Sequence, residues 1–170
     1  SITKAGLYGT APNMPPNEVS KGLNRTIKAI ELGKNKMALS IARFWSDRVE
    51  FTSAAMPPIY HYQSRTEDVD EILLEGLPLG SFKGETYSQL DIVYEPGDAF
   101  VFISDGLPEA TNKSEKMLGY RAVLDCVKEN GKNSAEEIKQ SLFDLGTAWL
   151  DGIKNQDDIT VVVVKKEKIS

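Results

Sequence analysis

In 170 residues the chain has one cysteine and one histidine. A lone Cys126 forms no internal disulfide, which excludes a cystine-stapled scaffold and suits a reducing cytoplasm. It falls in a helical pattern beside Val123 and Val127 and reads as a small apolar packing residue. His61 stands between Tyr60 and Tyr62 in a β-rich run, where a packed or surface role outweighs that of a general acid. With Cys126 in mid-helix and His61 without a motif partner, no Ser-His-Asp or Cys-His nucleophile can be assembled. No apolar stretch approaches the roughly 20 residues that span a bilayer, and no signal-peptide pattern opens the chain. Charge of neither sign is concentrated. The 20 basic and 25 acidic residues give a net charge of −5, and the basic ones are scattered apart from Lys165-Lys166, which argues against a nucleic-acid partner. Internal repeats and low-complexity segments are also lacking.

What is present fits a single domain, residues 1–170, large enough to bury a core. Ser1 to Tyr8 reads as the tail of a helix broken by the prolines between Pro12 and Pro16. Asn17 is placed to cap a new helix in which Val19, Leu23, Ile27 and Ile30 share a face before Gly33 ends it. Met37, Leu39 and Ile41 alternate with small residues. After a turn at Ser46-Asp47, Val49 and Phe51 repeat the alternation, predicting a hairpin. Further strands are expected over Ile59 to Tyr62, Ile72 to Leu74, Tyr87 to Val93 and Ala99 to Ile103. Ser114 to Glu129 reads as a helix. Ser134 with Glu137 forms a capping box for another, carrying Ile138, Leu142, Leu145 and Trp149 on one face and ending at Asp151-Gly152. Ile159 to Val164 shows no alternation and reads as a central strand buried on both sides. The class is α+β: a layered sandwich of mostly antiparallel sheets flanked by helices.

Two acidic signatures carry the chemistry. Ile103 to Asn112 reads Ile-Ser-Asp-Gly-Leu-Pro-Glu-Ala-Thr-Asn, and Asp157 to Thr160 reads Asp-Asp-Ile-Thr. In the first, a strand ends at Asp105; in the second, a strand begins just after Asp157 and Asp158. Antiparallel pairing of the two strands would bring these carboxylates to one edge of a sheet. Converging carboxylates repel and lose hydration, a cost offset by a bound cation or by hydrogen-bond donors. A hard divalent metal is the natural ion. Taken alone, Asp-Gly is a common turn and Asp-Asp a common solvated pair. Gly106 lets the backbone turn away without crowding the edge.

The first segment resembles the Thr/Ser-Asp-Gly-Val-x-Glu-Ala-x-Asn motif of the SpoIIE-type serine/threonine phosphatases, a bacterial branch of the metal-dependent PPM phosphatases. The second is similar to their last motif. Leu77 to Gly80 (Leu-Pro-Leu-Gly), Glu95 to Asp98 (Glu-Pro-Gly-Asp) and Leu118 to Tyr120 (Leu-Gly-Tyr) stand between them in the family order, so the resemblance runs from about Pro16 to Lys165. Two family segments are missing, a Gly-Gly-Asp-x-x-Asp motif whose acidic residue bridges two metals and an Asp-x-x-Gly-His segment. The turn at Gly97-Asp98 does not replace them. Met56 replaces the histidine of a family loop that Ser53 to Pro58 resembles. The chain thus reads as the C-terminal portion of a phosphatase domain whose first strands precede Ser1.

The resemblance implies hydrolysis of phosphoserine or phosphothreonine on a STAS-type anti-anti-sigma partner, by water activated on two Mn or Mg ions. It implies Asp105 and Asp157 as catalytic metal ligands, with Asp158 either a ligand or a residue that bonds loop amides or an outer water. Gly106, Glu109 and Thr160 would shape the site: Glu109 as loop cap or as support for a ligand, Thr160 by tying the strand start. Adjacent strand residues point to opposite faces, so at most one of Asp157 and Asp158 is expected to face the metal, with Asp157 favoured. The parent is expected to be the enzyme, cytoplasmic or membrane-anchored through another segment, with an upstream regulatory or sensor domain and room for a homodimer. The 170-residue chain itself is expected to be inactive. The rival expectation is a phosphatase-like sensor or binding module without catalysis.

Overall fold

A computed structural model of the chain describes residues 13–30 and 36–167. They fall into two compact units, one running to Met56 and including Leu74–Tyr94, the other comprising Pro57–Leu73 and the chain from Glu95 onward. The fold is α+β and every paired strand is antiparallel.

The first unit holds helix α1 (Pro16–Ala29) and a three-stranded sheet of β1 (Leu39–Phe44), β2 (Arg48–Ala54) and β5 (Gln89–Val93) in the order β1-β2-β5. The expected hairpin is present, with Leu39 opposite Ala54 and Phe44 opposite Val49. Val19, Leu23 and Ile27 are buried as their spacing predicts, against Ala54, Leu79 and Tyr87. The helix starts two residues earlier than expected. Pro15 is its N-cap and Pro16 its first residue, while the Asn17 side chain only accepts from the Glu18 amide. Proline suits this position because its missing N–H would be unpaired in any case. Ile30 is half exposed as the C-cap, and the Gly33 stop and the Ser1–Tyr8 helix lie outside the described residues. In the Leu-Pro-Leu-Gly segment, fully buried Leu79 exchanges both backbone bonds with Met37, and the Gly80 amide donates to Asn24 Oδ1.

The second unit has a four-stranded sheet, β4-β3-β6-β7, built from β3 (Ile59–Gln63), β4 (Asp68–Ile72), β6 (Ala99–Ile103) and β7 (Val161–Lys165). Helices α2 (Tyr120–Asn130) and α3 (Ala135–Leu150) join Tyr60, Tyr62, Val101 and Ile103 in one core with Val123, Val127, Ile138 and Leu142. Leu145, Trp149 and half-buried Cys126 pack on its margin. The capping box is formed: Ser134 Oγ accepts from the Glu137 amide and the Glu137 carboxylate from the Ser134 amide. Asp151 closes α3 in the left-handed region.

Three expectations shift. The fourth strand is Asp68–Ile72, not Ile72 to Leu74, and Leu73 is exposed. Residues 114–119 are turn and bridge rather than helix, because Asn112 Oδ1 accepts from the Ser114 and Lys116 amides and Thr111 bridges Met117. Strand β7 lies at an edge of its sheet, pairing only with β6 among the described residues. Its valines hid an alternation: Val161 and Val163 face the core while Val162 is half exposed. No helix of the described residues is long and apolar enough to cross a membrane.

The Glu-Pro-Gly-Asp turn is an anchor. Asp98 is buried and accepts from the Ser64 amide at 2.8 Å and the Glu95 amide at 2.9 Å, with His61 Nε2 at 3.3 Å. The His61 ring stacks on Phe100 at 4.3 Å, so its role is packing and pairing. Burial pushes the Asp98 carboxyl upward, but the Glu95 and Ser64 amides and His61 together hold it below the usual range. A depressed folded value stabilises above the unfolded value of about 3.9, and that contribution is lost as pH falls through the folded value. Asp98→Ala should therefore cost about 3 kcal/mol at neutral pH by leaving buried donors unpaired. In urea titrations the gap from wild type should narrow below about pH 4.

Candidate functional site

Strands β6 and β7 bring the two acidic signatures together. Ile103 pairs with Val161, and the register continues beyond the ladder, where the Ser104 amide donates to the Thr160 carbonyl at 3.0 Å. Two residues further, Gly106 lies on the backbone of Asp158: a Cβ there would sit 2.4 Å from the Asp158 carbonyl oxygen. Only glycine permits that approach. Asp105, Asp157 and Asp158 thus share one edge of the sheet, as the strand ends predict.

Side chains that the motif reading passed over hold this edge. Ser104 Oγ donates to the Asp158 carbonyl at 3.0 Å and accepts from the Thr160 amide at 2.9 Å. Asn155 Nδ2 donates to the Gly106 carbonyl at 2.9 Å and the Asp157 carbonyl at 2.7 Å, clasping one loop to the other. Thr160 ties the strand start, though through its backbone rather than its hydroxyl. Asp157 Oδ1 accepts from the Asp158 amide at 2.8 Å, so the amide contact expected of Asp158 is made by its neighbour. Ser104 adjoins Asp105 in the motif; Asn155 had no signal beyond lying in the loop before Asp157.

Asp105, Glu109, Asp157 and Asp158 are exposed. The Glu109 amide closes a turn onto the Asp105 carbonyl, while its side chain borders a cavity of about 560 Å³ with Gly106, Asn112, Lys154, Asn155 and Asp157. Tyr120 opens α2 next to this turn, where the Gly119 amide donates to the Pro108 carbonyl at 2.8 Å. Burial pushes its phenol up, and the carboxylates of Glu109, Asp105 and Glu71 add to the rise. The donors at the edge are carboxylate oxygens, the right chemistry for a hard cation. Among the described residues no group of three acidic, histidine or cysteine side chains is placed to hold a metal. Two carboxylates, those of Asp105 and Asp157, would supply only part of the oxygen shell of about six that such an ion takes.

The family model described as Stage II sporulation protein E (SpoIIE) matches residues 8–167. Among solved structures, the chain is similar to the SiaA-PP2C domain of Pseudomonas aeruginosa, at 17% identity and a TM-score of 0.79 over 98% of this chain and 66% of that one. It is similar to the RsbU and RsbW domains of Rv1364c from Mycobacterium tuberculosis at 19% identity and a TM-score of 0.72, covering 98% of this chain and 45% of that one. It is also similar to the phosphatase domain of SpoIIE from Bacillus subtilis, presoaked with Mn, at 18% identity and a TM-score of 0.63, covering 99% of this chain and 73% of that one. The chain therefore spans less than two thirds of the length of the first two structures. At these identities the likeness establishes the fold. No curated protein matches the chain.

Proposed function

Because this chain belongs to the SpoIIE family of PPM-type serine/threonine phosphatase domains, we propose that it forms the C-terminal portion of a single metal-dependent phosphatase domain. The substrate is a phosphoserine or phosphothreonine on a STAS-type anti-anti-sigma protein. The observation that supports this is the meeting of Asp105 and Asp157 at one sheet edge, fastened by Ser104 and Asn155. Bound Mn or Mg, two ions in the intact domain, would supply a polarised water and neutralise phosphoryl charge. Asp105 and Asp157 hold the cation, and Asp157 is preferred to Asp158 because it borders the cavity beside Gly106. Gly106 keeps the loops in contact and Glu109 lines the approach. A cytoplasmic setting suits the lone thiol, and an upstream regulatory domain would govern activity in the full-length protein.

The 170-residue chain supplies too few oxygen ligands to bind two ions tightly. Calorimetry should give Mn binding weaker than micromolar, with slow release of phosphate from a phosphoserine protein, while the full-length protein turns over in Mn and stops in a chelator. Robust turnover by the chain with micromolar Mn affinity would show that the missing acidic motif is dispensable. Met56 in place of the family's histidine favours a phosphatase-like module without catalysis, and absence of Mn-dependent turnover in the full-length protein would leave that reading standing.

A further inference from the structure

The carboxylates at the acidic edge only accept hydrogen bonds, and the donors of Ser104 and Asn155 are already engaged with backbone carbonyls, yet a phosphoryl group also needs donors, since its charge is spread over three non-bridging oxygens. Tyr120 is placed to be one. The segment before it is zipped to the loop that carries Asp105: the Leu118 amide donates to the Ala110 carbonyl at 2.9 Å and the Gly119 amide to the Pro108 carbonyl at 2.8 Å. Trp149 Nε1 locks the zipper by donating to the Ala110 and Lys116 carbonyls at 3.0 and 3.1 Å. Gly119, at φ 84° and ψ 155°, makes a bend that residues with a Cβ avoid. The next residue, Tyr120, opens α2 directly beside the Asp105–Glu109 turn. Its backbone is held from beneath as well, because buried Tyr60 donates its hydroxyl to the Tyr120 carbonyl at 3.3 Å.

The Tyr120 hydroxyl itself has no hydrogen-bond partner among the described residues, and the side chain is 36% exposed, enough to be reached from solvent. A rigid backbone therefore carries a residue with an unused hydroxyl next to the turn that bears Asp105. We infer that Tyr120 is a substrate-binding residue, donating its hydroxyl hydrogen to a phosphoryl oxygen of the phosphoserine or phosphothreonine substrate; this rests on the phosphatase reading above. A tyrosine hydroxyl keeps its proton at neutral pH, so it serves as a donor there. A neutral donor also suits this edge better than a second cation, which would compete with the metal for Asp105 and Glu109.

The test is Tyr120→Phe in the full-length protein, which removes the hydroxyl and leaves the ring and the backbone bonds from Gly119 and Tyr60 in place. Two quantities are read in Mn: KM and kcat on a phosphoserine protein, and the affinity for inorganic phosphate by calorimetry. A hydrogen bond to a charged acceptor corresponds to about tenfold, so KM should rise and phosphate affinity fall by about that factor. Values of kcat within about twofold and an unchanged melting temperature would separate this from a structural role. Unchanged KM and phosphate affinity alongside normal wild-type turnover would overturn the inference and leave the phosphatase reading intact. Lys154, on the facing loop, is the competing donor. A loss of phosphate affinity in Lys154→Ala but not in Tyr120→Phe would give the contact to the lysine and overturn the inference. Wild type with neither turnover nor phosphate binding would sink both readings together.

Discussion

Asp105→Asn in the full-length protein should cut Mn-dependent release of phosphate from a phosphoserine protein by a hundredfold or more while the melting curve stays in place. The amide keeps the shape of the carboxylate but loses the charge that holds a hard cation, and the charge stabilisation supplied by a metal is worth several kcal/mol in the transition state. Stability should hardly change, because the Asp105 side chain is exposed and accepts no hydrogen bond among the described residues. Side-by-side turnover and thermal melts of mutant and wild type provide the measurement. Wild-type turnover in the mutant would remove Asp105 from the metal site, and a collapsed melt would recast it as structural.

Gly106→Ala should do the opposite, disturbing the fold and the site together without removing any carboxylate. The new methyl would lie 2.4 Å from the Asp158 carbonyl oxygen and 3.0 Å from its carbon, both backbone atoms. A flexible side chain could swing aside, but here the two loops must part. Overpacking of this kind costs about 2 to 3 kcal/mol, and parting also strains the Ser104 and Asn155 bonds. Denaturant unfolding should show the loss, and Mn affinity in the full-length protein should fall with it. Gly146→Ala is the control, since its methyl meets only side-chain ends, Leu107 Cδ1 at 3.0 Å and Ile159 Cδ1 at 3.7 Å, and no backbone. Equal stability of the two variants would mean that the edge is softer than its contacts indicate.

The sequence made this edge legible because strand logic is short-range. An apolar run ending at Ser104 and another beginning near Thr160 are each visible in fewer than ten residues, and antiparallel pairing then aligns their acidic ends. The β1–β2 hairpin and the Ser134 capping box were legible for the same reason, since alternation and a four-residue motif are local signals. What stayed hidden depends on distant partners. Asp98 sits in an ordinary turn sequence, and only the fold brings Ser64 and His61 to it from 34 and 37 residues away. Asn155 reaches back 49 residues to Gly106. The false helix before Tyr120 arose where the Asn112 side chain outbid helical bonds for the Ser114 and Lys116 amides, a competition that periodicity does not register.

On the metal-binding role proposed above, the Asn155 clasp would make the edge a preassembled chelator. Two carboxylates borne on segments about fifty residues apart would ordinarily have to be gathered from independent loops, with an entropic penalty charged against every ion bound. One amide group gripping the Gly106 and Asp157 carbonyls settles that penalty during folding, before any ion arrives. By reciprocity, an ion held across the seam would hold the seam shut, so a chain filling its site would also fasten the outer margin of its own sheet.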